Sequence, residues 1–166
     1  MKIENIKFKA KSLDNQEWTC GFFYKENGNT YIIEDRQKES MLNRNIPYKV
    51  VPDTVCQFTG FLDKNGKEIY EGDVLRSDKE PSGIFPLDKD PHMAVVCWSE
   101  EHGVFYKMTF KDPEARVFQN PNRSCHVMSR FIRHYEVIGN IHEPEWKQKF
   151  GSRTERKLSI EIFDND

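Results

Sequence analysis

The sequence predicts a mainly β protein, and three observations carry that prediction. Aromatic side chains are abundant, with twelve Phe, six Tyr and three Trp in 166 residues, and such side chains fit a pleated, half-buried surface better than a helix. Short aromatic or β-branched runs recur along the chain between turn residues, the spacing of a small barrel or sandwich. Two Asn-Gly pairs, Asn27-Gly28 and Asn65-Gly66, each separate two such runs, where a tight hairpin turn needs positive backbone angles. The length allows a core that needs no metal or disulfide framework.

The first strand is predicted within residues 3–10, where Ile6, Phe8 and Ala10 alternate with lysines as on a half-buried strand. Residues 18–24 and 30–34 form a hairpin around Asn27-Gly28. Residues 36–42 are polar with isolated Met41 and Leu42 and fit either one or two helical turns or a loop. Pro47 and Pro52 bracket residues 48–51; proline fixes its own φ and disfavours helix just before it, so an extended connector and a subdomain boundary are expected there.

The clearest local signal is a second hairpin over residues 57–76, turning at Asn65-Gly66. Cys56, Phe58 and Leu62 share one face of its first strand, with a bulge or a close backbone approach expected at Gly60. Gly72-Asp73 reads as a bend feeding a new strand at Val74. The proline-rich stretch 77–91 is an irregular loop. Further strands are expected at 93–98, 104–110, 126–131 and 135–141, and a helical turn at 145–150. The alternating segment 158–163 has the pattern of an edge strand and needs a sheet edge of its own or of a neighbour.

The sequence resembles the YopX family of phage and prophage proteins, of uncharacterised function. The resemblance rests on Thr54-Val55, Gln57-Phe58-Thr59-Gly60, Asp63-Lys64-Asn65-Gly66-Lys67, Ile69-Tyr70-Glu71-Gly72-Asp73 and Glu136-Val137-Ile138-Gly139-Asn140-Ile141. The opening Lys7-Phe8-Lys9-Ala10, with Trp18 and Gly21, is similar too. The resemblance covers about residues 3–144 and implies an SH3-like β-barrel in the carboxy-terminal part, preceded by a smaller β-containing region with minor helix. It brings no established catalytic residues. The expected organisation is an amino-terminal hairpin region at 1–53, the barrel at 54–145, and a helical turn with a strand-like tail at 146–166.

Gln57, Thr59, Gly60, Asp63, Asn65, Gly66, Tyr70, Glu71, Gly72, Asp73, Gly139 and Asn140 are therefore read as structural family positions. Asp63, Asn65, Glu68, Glu71 and Asp73 make an acidic cluster, but without the ligand spacing of a calcium loop; turn chemistry accounts for them better. The five histidines include no metal-binding spacing, and Cys125-His126 would point to opposite faces of a strand. Cys20, Cys56, Cys97 and Cys125 form no Cys-x-x-Cys pair. With no apolar leader-like run and no stretch long enough to span a bilayer, free thiols, a cytoplasmic location and no membrane association are expected. Cys56 and Cys97 are expected to behave as small buried apolar residues.

A net charge of -2 creates no overall attraction for polyanions. Basic residues nevertheless cluster locally, at Lys2, Lys7, Lys9 and Lys11, and at Arg123, Arg130, Arg133 and His134 beside Phe131 and Tyr135. Interleaved aromatics and cations can stack on and neutralise a single strand. The leading expectation is a non-enzymatic protein-interaction or assembly module without a cofactor, acting through a protein partner or self-association. A weak nucleic-acid-binding barrel using Arg130, Arg133, His134 and Tyr135 is the alternative, and an enzyme without a recognisable motif ranks third.

Overall fold

The computed structural model describes residues 3–34, 36, 39–42, 44–77, 92–100, 103–110, 125–127 and 130–150. Among them the chain forms two antiparallel sheets with little helix. It divides into two units, Met1–Leu62 with Gly66–Glu71, and Asp63–Asn65 with Gly72–Asp166.

The first sheet contains β1 (Phe8–Lys11), β2 (Trp18–Glu26), β3 (Asn29–Glu34), β4 (Ile46–Lys49), β5 (Cys56–Leu62) and β6 (Glu68–Tyr70), in the order β4-β3-β2-β1-β5-β6. Residues Ile3–Asn5 take up a 3-10 turn, so the first strand starts later than the alternation at Ile6 suggests. The β2–β3 turn has φ of 48° at Asn27 and 77° at Gly28, the pair of positive angles that matches the twist of the flanking strands. Gly21 is required for a different reason: a Cβ there would lie 1.9 Å from the Ile33 carbonyl oxygen. In β5, Gly60 has φ of 84° and sits where the pairing slips between Phe58↔Tyr70 and Leu62↔Glu68, the bulge expected from the sequence.

One face of this sheet closes over its own core. Ala10, Ile32 and Val50 are buried together, with Phe8, Tyr48 and Val55 against them, each large aliphatic side chain contributing about 1.5–3 kcal/mol by leaving water. Past β4 the chain returns to the end of β1. Val50 bridges Ser12, the Val51 N–H donates to the Lys11 carbonyl at 2.9 Å, and the Leu13 N–H donates to the Lys49 carbonyl at 2.9 Å. The Ala10 face is therefore taken as the inner one, and Lys9 with its cross-strand partners Cys20 and Cys56 lies on the opposite, outer face.

The second sheet contains β7 (Asp73–Ser77), β8 (His92–Ser99), β9 (Val104–Phe110), β10 (Cys125–Val127) and β11 (Glu136–Asn140), in the order β10-β9-β8-β7-β11. A seven-residue helix, α1 (Pro144–Phe150), follows, with proline at its first position, where no intrahelical N–H bond is lost. Val74, Met93, Val95, Ile141 and Trp146 form its core, with Cys97 and Ile138 packed against them.

Expectations change at several points. Among the described residues the second sheet is open, with β10 and β11 at its edges, and no closed barrel is formed. The two units divide at Glu71–Gly72, and β5 pairs with β1 through Phe8↔Gln57 and Lys9↔Cys56, which ties it to the amino-terminal strands. The prolines mark no linker, since Pro47 lies within β4 at the sheet edge and Pro52 opens a 3-10 turn. Finally, the strand expected at 126–131 covers only Cys125–Val127, and Arg130–His134 is a 3-10 turn. Of stretch 36–42, the Glu39 N–H donates to the Arg36 carbonyl at 3.2 Å, closing a turn. The loop at 78–91 and the tail strand at 158–163 lie outside the described residues. Among the described residues no helix is long and apolar enough to cross a membrane.

Candidate functional site

Several of the family positions gather around two structural points. In the second unit, Asp73 and Asn140 face each other across the β7–β11 pairing, both fully buried, and the Asn140 amide donates to Asp73 Oδ1 at 2.9 Å. Asn140 Oδ1 also accepts from the His142 N–H at 3.0 Å, which shapes the turn into α1. Gly139 is needed beside it because a Cβ would fall 2.1 Å from the Trp146 indole nitrogen. Gly72, with φ of 77°, donates its N–H to the Val96 carbonyl at 2.8 Å and accepts from the Ile141 N–H at 2.9 Å.

Asp63 is the second point. Its Oδ1 accepts from the Asn65 N–H at 2.7 Å, closing the turn that Gly66 completes with φ of 80°, while Oδ2 accepts from the Val137 N–H at 3.0 Å. The turn is thus bonded directly to β11. Lys64 and Arg76 both pair with Glu136, the Lys64 contact at 2.8 Å and the Arg76 Nε contact at 2.9 Å. Hydrogen bonds from Lys64 and then Arg76 hold the Glu136 carboxyl below its usual range. In the first unit, the Thr59 hydroxyl donates to the Ile69 carbonyl at 2.7 Å and the Glu71 N–H donates to the Gln57 carbonyl at 2.9 Å, bracing β5 and β6. Each of the contacts named here is made to the backbone or to a neighbouring side chain.

The residues suggested for nucleic-acid contact near 130–135 do not form a stacking surface with Tyr135. Arg133 and His134 are exposed, but Tyr135 is 1% exposed. Its carbonyl accepts from the Lys64 N–H at 2.8 Å and its N–H donates to the Ile132 carbonyl at 2.9 Å, which holds this residue in the core. The side chains of Arg130, Phe131, Cys125 and His126, and all of Arg123, lie outside the described residues.

The chemistry that does converge is on the outer face of the first sheet. Alternation places Lys9 and Lys11 of β1, with Lys7 just before it, on that face and leaves Phe8 and Ala10 inside. The Lys7 ammonium lies 4.6 Å from the Phe58 ring centre. The Lys9 ammonium lies 4.7 Å from Trp18 and 4.9 Å from Tyr70, and that of Lys11 lies 5.6 Å from Trp18. All fall within the ~6 Å range of cation–π attraction. Beneath these heads Cys56, Phe58 and Tyr70 are buried together with Trp18 packed against them, and the three lysines are half-buried.

Beneath the lysines runs a bonded chain of polar groups. The Tyr70 hydroxyl donates to Glu68 Oε2 at 2.6 Å, Glu68 Oε1 pairs with Lys7, and the Cys20 thiol is bonded to the Tyr70 hydroxyl. Desolvation, then the bond to Glu68, pushes the Tyr70 hydroxyl far up. Desolvation also pushes the Cys20 thiol up, although much of the residue is exposed. Both groups stay protonated at neutral pH. Beside this chain, the outer face of β2 and β3 carries Phe22, 41% exposed, and Tyr24 stacked on Tyr31 with ring centres 5.0 Å apart. Among the described residues, no three side chains of His, Cys, Asp or Glu come together in a metal-binding group.

The family model described as YopX protein matches residues 3–145. The chain belongs to the YopX family. That match spans both sheets and every family position named above, so the Asp73–Asn140 pair and the Asp63 turn are features of the YopX region of the chain. No curated protein matches the sequence. The lysines at 7, 9 and 11 were visible in the sequence as a basic cluster. Their aromatic partners were missed because Trp18, Phe58 and Tyr70 reach them only through cross-strand register, which no local pattern encodes.

Proposed function

We propose that this YopX-family chain is a non-enzymatic interaction module whose contacting surface is the outer face of the first sheet. One observation carries the reading: three lysine ammoniums stand over aromatic rings along a single strand, beside exposed Phe22 and the Tyr24–Tyr31 stack. Charged heads held on aromatic supports give a broad contact surface with few side-chain rotamers left to freeze on binding. The two protic groups at its centre, Cys20 and Tyr70, are both pushed toward their neutral forms. That suits contact better than nucleophilic attack, which needs a thiolate or an activated hydroxyl.

Cross-linked affinity capture from the native cell tests this, comparing the unchanged chain with a Lys9→Glu/Lys11→Glu double variant of unchanged circular dichroism. A molecule retained by the first and lost by the second is the expected result. Identical retention by both chains overturns the assignment of this face.

A further inference from the structure

Resting on that reading, we infer that the outer face of the first sheet binds single-stranded nucleic acid, with β1 taking phosphates and β2–β3 taking bases. Lys9 and Lys11 alternate along β1 and Lys7 continues their row just before it, its carbonyl accepting from the Phe58 N–H, so the Cα atoms are spaced by about 6.7 Å. That spacing is comparable to the phosphate repeat of an extended single strand. Each head stands over a ring, a contact that lowers the entropy lost when it meets a phosphate.

The base platform lies alongside. Phe22 is on the same face as Cys20, whose cross-strand partner is Lys9, and β2 runs about 5 Å from β1 and β3 about 10 Å from it. Phe22 and the Tyr24–Tyr31 stack therefore flank the lysine row at the distance of a base from its own phosphate. Aromatic faces accept any base, so the inference is one of strand state, not of sequence. Charge agrees. Lys7, Lys9, Lys11 and Lys49 on this face outnumber the carboxylates Glu26 and Glu68 there, although the chain as a whole is at -2. A duplex fits less well, since its bases are stacked inside and cannot reach Phe22.

The test is fluorescence anisotropy of the full chain with a labelled oligothymidylate, a labelled duplex and a labelled heparin fragment. We expect low-salt binding to the single strand, weaker binding to duplex and heparin, and log K falling with log salt at a slope near −2, about 0.7 for each of three phosphates. Lys9→Ala should lower the magnitude of that slope by about 0.7. Phe22→Ala should weaken binding about 5- to 100-fold, the loss of one stacked base, and leave the slope unchanged. No binding at low salt overturns the inference. So does heparin or duplex binding as tight as the single strand with Phe22→Ala silent. If nuclease-treated lysate still yields a protein captured through Lys9 and Lys11 while the oligonucleotide does not bind, this inference fails and the interaction-module reading stands.

Discussion

The Asn140 amide donates to the buried Asp73 carboxylate across 67 residues of sequence, at 2.9 Å, and so joins β11 to β7 at the point where the chain turns into α1. Neither group is exposed to water. Asn140→Ala leaves a buried carboxylate short of a donor, and is expected to destabilise the fold by about 2–4 kcal/mol. Urea denaturation should also show the Asp73→Ala/Asn140→Ala double change costing less than the sum of the two singles, because both remove one interaction. Strict additivity would show that the pair is not coupled.

Gly21 and Gly28 are expected to respond very differently to alanine. At Gly21 the new Cβ meets the Ile33 carbonyl at 1.9 Å, a backbone atom that moves only if β2 and β3 part. Gly21→Ala should cost more than about 3 kcal/mol, as overpacking against an immovable neighbour does. Gly28 has open space around it, and the penalty there is only that of a left-handed backbone at φ of 77°, about 1–2 kcal/mol. Thermal melts of the two variants, side by side, check the order.

Glu136 gives the fold an acid limb. Its folded-state carboxyl titrates below the ordinary glutamate value of about 4.5 because Lys64 and Arg76 hydrogen-bond to the charged form. The unfolded chain therefore binds this proton first as pH falls. The stabilisation is fully present above about pH 4.5 and is lost as the pH drops through the lowered folded value. Glu136→Gln should flatten the loss of stability on that limb, read from denaturation midpoints across the acidic range; an unchanged acid limb would show that other groups set it.

Cys20 should alkylate slowly for an exposed cysteine. Desolvation beside Tyr70 raises its thiol, and only the thiolate reacts. Iodoacetamide labelling near neutral pH, followed by mass spectrometry, should show Cys20 lagging behind a free thiol standard, with its rate still climbing at pH values where the standard has levelled. Equal rates would contradict the raised value.

Local signals in the sequence located local structure well. Asn27-Gly28 marked the first hairpin and Gly60 the bulge because positive φ angles leave a residue-level signature. The β1–β5 pairing left none: Lys9↔Cys56 joins segments far apart in sequence, and register is a property of both strands at once. That pairing joins β5 to the amino-terminal strands within one unit. The same limit hid the candidate surface. Lys7, Lys9 and Lys11 were legible as charges, while Trp18, Phe58 and Tyr70 became their partners only through pairing. Tyr135 went the other way, its ring placed among arginines in sequence but in the core in space.

The order of the strands also bears on synthesis. All six strands of the first sheet are present once Tyr70 has left the ribosome, whereas β7 lacks its outer neighbour until Asn140 follows. At about 5–20 residues per second this leaves β7 waiting for several seconds with one edge open. During that interval its N–H and C=O groups are open to mispairing with another nascent chain. Limited proteolysis of arrested chains should find β1–β6 protected before β11 is made, and chaperone dependence should be greatest for chains stopped between the two.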